Sequence, residues 1–85
     1  MSKIEFNKTR YRGCTGFTNW FWEMTVGGMV SAISIEACRH GTKVVSGYAV
    51  RNDMNHSISF FACNGNPRAA FKVAKAFAVA QIGGR

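Results

Sequence analysis

The sequence predicts an α+β fold: a four- to five-stranded antiparallel meander sheet with one C-terminal helix packed on one face (β-β-β-β-α). Three observations carry this expectation. From residue 18 to residue 63, β-favouring residues fall in short runs, alternating or bunched, between Gly- and Asn-containing turn signals. An Asn-Gly-Asn-Pro break follows at 64–67. Beyond it, an Ala-rich segment runs without a breaker to Gly83, with apolar positions at helical spacing.

The elements follow in order. Ile4 and Phe6 alternate with Lys3, Glu5 and Asn7, which suits an additional N-terminal strand. Residues 19–26 hold Trp, Phe, Thr and Val and stop at Gly27–Gly28, a pair that tolerates the positive φ angles of a tight hairpin. In residues 29–38, Ile33, Ile35 and Ala37 share one face, and Ala32, Ser34, Glu36 and Cys38 the other. Met29, Ile33 and Ala37 are also spaced by four, as in a helix, but β-branched content and flanking turns favour a strand. Arg39–Thr42 suits a turn, 43–51 a strand, Asn52–Asn55 a polar turn, and 57–63 a last strand. Asn64–Pro67 then supplies an N-cap Asn and places Pro at the first helical position. Phe71, Ala74, Phe77, Ala78 and Ile82 form the apolar helix face, with Arg68, Lys72 and Lys75 opposite.

One helix covers one face of the sheet. Alternation assigns Trp20, Trp22, Met24, Val26, Ile33, Ile35, Ala37, Ile58, Phe60 and Ala62 to the covered face. The open face then receives Phe21, Glu23, Thr25, Ala32, Ser34, Glu36, Ser57, Ser59 and Phe61. Strand 43–51 does not declare its facing, because Val44, Tyr48 and Val50 on one side and Val45 and Ala49 on the other are all apolar.

Eighty-five residues make a single domain, 1–85, with its core at about 3–82 and a short tail at 83–85. Hydrophobic residues are 47% and charged residues 18%, a globular composition. The N-terminus lacks a secretory pattern, and the longest uncharged run, 24–35, is well short of the ~20 residues a membrane-spanning helix needs. A cytoplasmic protein without membrane contact is expected. Cys14, Cys38 and Cys63 are odd in number and widely spaced, so neither a disulfide framework nor a zinc knuckle is indicated. Cys38, His40, His56 and Cys63 are the one set from which a zinc site could be assembled, and no metal or cofactor is expected.

The chemistry-bearing inventory is small. No nucleophile elbow, zinc-protease or phosphate-loop motif is present, and the Cys38–His40 and His56–Cys63 pairs lack an orienting group. No catalytic residue is assigned, and the chain reads as a non-enzyme. The net charge of +7, eleven Lys and Arg against four acids, points to nucleic acid, an acidic protein or an anionic surface. Two basic clusters are candidates for nucleic-acid or acidic-partner contact: Lys8, Arg10, Tyr11 and Arg12 in the N-terminal arm, and Arg68, Lys72 and Lys75 on the helix. On the open face Phe21, Glu23, Glu36 and Phe61 are candidates for docking a protein partner.

YRGCTGFTNWFWEM, residues 11–24, resembles the opening strands of AP2-type DNA-binding domains. In overall build, through GNPRAAFKVAKAFAVAQ, the chain is similar to small phage anti-defence proteins, including anti-CRISPR proteins. That resemblance implies a non-enzymatic inhibitor docking on a nucleic-acid-handling complex, in the host cytoplasm if phage-encoded. The alternative expectation is direct nucleic-acid binding through the basic arm and helix exterior. A homodimer is compatible with either.

Overall fold

A computed structural model describes residues 3–10, 20–40 and 44–83. Five strands, β1 (Ile4–Arg10), β2 (Trp20–Val26), β3 (Met29–His40), β4 (Val44–Asn52) and β5 (Ser57–Ala62), precede one helix, α1 (Pro67–Gly83). The strands form one antiparallel sheet in sequence order, so each pairs with its neighbour along the chain. The fold is the expected meander and helix, with the N-terminal strand present.

The turns follow local chemistry. Gly27 and Gly28 both take positive φ, 60° and 86°, as a two-residue hairpin requires. After β4, Asn52 Oδ1 accepts from the Met54 N–H (2.9 Å) and Asn55 Oδ1 from the Ser57 N–H (3.1 Å), closing the turn into β5. Asn66 caps α1: its Oδ1 accepts from the Ala69 N–H at 3.2 Å, with Pro67 in the first helical position.

The core lies between the helix and one face of the sheet. Met24, Ile35 and Val50 are its largest fully buried side chains, one from each of β2, β3 and β4. Ala70, Ala74 and Ala78, spaced by four, are buried against them, and such small residues let the helix axis approach the sheet closely. The helix packs on β3, β4 and β5. Towards β2 it reaches through Phe71, whose ring lies 4.5 Å from Trp22 and 4.9 Å from Tyr48.

Two facings depart from simple alternation. In β4, Cys38 pairs with Gly47 but Arg39 pairs with Val45, so Ser46 is an extra residue. That bulge lets Val45 join Tyr48 and Val50 against the core, resolving the strand whose facing the sequence leaves open. In β5 the assignment is reversed. Tyr48 pairs with Phe61 and Val50 with Ser59, which puts Phe61 on the helix side and Ile58, Phe60 and Ala62 on the open face. Phe61 packs on Phe77 with ring centroids 5.3 Å apart, while Ile58 is 64% and Phe60 56% exposed. The cause is Gly47. A Cβ there would fall 2.7 Å from Cε1 of Phe60, so the Phe60 ring occupies the place of the missing side chain on the open face.

Candidate functional site

Charge is sorted by the strand alternation. Lys8 pairs with Trp22, so β1 turns this base to the helix side of the sheet. Glu5, Glu23 and Glu36 take the opposite parity and stand on the open face. Ion pairs hold acids of the open face and of the adjoining turn. Lys3 Nζ meets Glu5 at 3.3 Å, and Arg51 bridges Glu36 at 3.0 Å and Asp53 at 3.3 Å. The three acids of these pairs are neutralised locally, and among the described residues Lys8, Arg68, Lys72 and Lys75 have no such partner.

On the helix side the sheet extends past the helix and leaves a ledge whose floor is β1 and β2. Lys8 Nζ lies 4.8 Å from the Trp20 ring centroid and 5.9 Å from that of Trp22. Across from it, Lys75 Nζ lies 5.1 Å from the Phe71 centroid and 5.8 Å from that of Phe6. A cation over an aromatic face contributes about 0.5–1 kcal/mol at an exposed site, enough to order both ammonium groups without removing them from solvent. Arg68, Lys72 and Lys75 lie at i, i+4 and i+7, one row of a helix. Lys75, at the ledge end of this row, leans over Phe6 and Phe71. Arg68 and Lys72 are exposed and Lys75 is half-buried.

The other sequence candidates fall as follows. Tyr11, Arg12 and Cys14 lie outside the described residues. Phe21 and Glu23 occupy the open face and are half-buried. Glu36 is there too, but Arg51 holds it and its side chain is 15% exposed. Phe61 is not on the open face; Phe77 and the core take it, because its register partner Tyr48 faces the helix. The proposed docking set therefore does not form one patch. Trp20, Trp22, Phe6 and Phe71 belong to the ledge, and sequence reasoning placed the tryptophans wholly under the helix. Lys8, two residues beyond Phe6 on the same face of β1, was the available signal.

Cys38 and Cys63 show no activation. Burial pushes the Cys38 thiol above its ordinary value, Glu36 adds to this, and a hydrogen bond with the Ala49 backbone offsets part of it. Burial also raises Cys63, and it raises Tyr48, with a smaller contribution from Cys63 beside it. A thiol held protonated is a weak nucleophile and a weak metal ligand. Among the described residues no three His, Cys, Asp or Glu side chains gather as a metal site, and no helix is long and apolar enough to cross a membrane.

Comparison with protein-family models, curated proteins and solved structures gives no match for this chain.

Proposed function

We propose that the protein is a non-enzymatic binding protein whose helix-side ledge takes an anionic macromolecule, with nucleic acid as the favoured class. One observation carries this reading: the strand alternation puts Glu5, Glu23 and Glu36 on one face and Lys8, over Trp20 and Trp22, on the other, where Lys75 of the helix lies over Phe6 and Phe71. Lysine and arginine along a groove track phosphates, and indole rings add sequence-tolerant stacking or edge contacts. The ledge is narrow and its rings are half-buried, so backbone contact dominates and little base specificity is expected.

An inhibitor docked on a nucleic-acid-handling complex is the second reading. It is supported by the same charge, since such a protein can occupy the path the nucleic acid would take. Affinity capture from lysate with and without nuclease separates the two. Capture of nuclease-sensitive material supports direct binding, and a protein retained after nuclease supports the inhibitor. Recovery of neither removes both.

A further inference from the structure

The two edges of the sheet are unlike. β1 carries Glu5, Lys8 and Arg10 within seven residues, the charge that guards an exposed edge against pairing. β5, Ser57–Ala62, has no charge, no proline and no bulge. The hydrogen-bond phase follows from the Cys63 N–H, which donates to the Ser46 carbonyl at 2.8 Å. In an antiparallel ladder this directs the backbone groups of Phe61 and Ser59 to β4 and those of Ile58, Phe60 and Ala62 outward.

The helix flank above this edge is equally bare of charge. Ala69, Val73, Phe77 and Ala80 line it, and Val73 is 53% exposed. Between flank and strand runs a groove of about 420 Å³, lined by Phe61, Ala62, Cys63, Ala69, Ala70 and Val73 among others. In a chain of net charge +7, the one edge and the one helix flank without charge lie side by side.

We propose that this edge is a self-association surface, with β5 paired antiparallel to β5 of a second copy across a two-fold axis. The pairing makes a continuous ten-stranded sheet with two helices side by side. The outward groups match when Phe60 lies opposite the partner's Phe60 and Ile58 opposite the partner's Ala62. A second copy fits better than an added peptide strand. It satisfies the edge and covers Val73 and Ala69 in the same step, and it keeps each copy's basic flank on the side away from the axis.

The test is the mass of the full chain, purified with nuclease, by sedimentation equilibrium over a concentration series. A dimer is expected; Ile58→Pro, which removes an outward-pointing N–H, and, separately, Val73→Lys, which puts an unpaired charge in the covered groove, should each weaken it on the order of a hundredfold. Both side chains are exposed, so the variants should keep the wild-type far-UV spectrum; Glu5→Lys, at the other edge, should leave the dimer intact. A wild-type monomer at high micromolar concentration, or a dimer indifferent to both substitutions, would overturn the proposal.

Discussion

Removing charge from the ledge should change how binding depends on salt, more informatively than it changes affinity at one condition. Four cations, Lys8, Arg68, Lys72 and Lys75, have no carboxylate partner among the described residues. If each meets one phosphate, log K against log salt has a slope of about −3.6 for duplex and about −2.8 for a single strand. A rise from about 50 to about 200 mM salt then weakens duplex binding roughly 150-fold. Lys72 touches no ring, so Lys72→Ala removes a charge and leaves the packing alone; the expected duplex slope is about −2.7. Lys72→Ala with Lys75→Ala should bring it to about −1.8 and cut the loss over the same range to roughly twelvefold. Lys3→Ala serves as the control, since Lys3 pairs with Glu5 on the open-face side. Fluorescence anisotropy with labelled duplex and single-stranded oligonucleotides reads all of these slopes. An unchanged slope in the double variant, or an equal change in Lys3→Ala, would refute the assignment of the ledge.

Three further outcomes test the fold around the site. Gly47→Ala should destabilise by about 1–3 kcal/mol in urea, because the new Cβ meets the Phe60 ring and, at 2.5 Å, the Phe61 carbonyl oxygen. A Phe60→Ala background should recover only part of this, and a Gly47→Ala change near zero would contradict the packing. Asn52→Ala should cost about 1–3 kcal/mol, since buried Asn52 both accepts from the Met54 N–H and donates through Nδ2 to Gln81 Oε1 at 3.3 Å. Stability should hold below pH 9.0, the ordinary thiol value, and fall above it: with Cys38 and Cys63 raised in the fold, the native chain keeps protons that the unfolded chain releases. Urea melts at stepped pH check the sign, and a shallower alkaline decline in Cys63→Ser identifies the thiol.

Where the sequence was legible, local chemistry decided the outcome. Gly27–Gly28, the 52–55 turn and the Asn-capped Pro67 start of α1 depend on neighbours in the chain, and each formed where those neighbours require it. Ile33, Ile35 and Ala37 were equally clear, because a central strand facing a helix leaves no second use for its apolar side. Strand β5 was misread for a long-range reason. Its pattern offers apolar residues to both faces, and the choice was made by Gly47 on β4, which needs Phe60, and by Phe77 on α1, which takes Phe61. The strand-by-strand pattern also gave no account of the helix's lateral position. That position decides whether Lys75 points to bulk solvent or leans across Phe6, and with it whether the tryptophans are only core or also the floor of a ledge.

The sorting of charge across so thin a body has a kinetic meaning. With one face largely neutralised by ion pairs and the other basic, the molecule carries an electric dipole across the sheet in addition to its net charge. In the field of a polyanion that dipole exerts a torque, so the molecule turns its ledge forward before contact rather than after it. The Debye length, about 8 Å at physiological ionic strength, is well under the smallest extent of the molecule, 21 Å, so the two faces are sensed separately. Fewer encounters are then wasted on the wrong face, and the advantage fades as salt shortens the reach of the field.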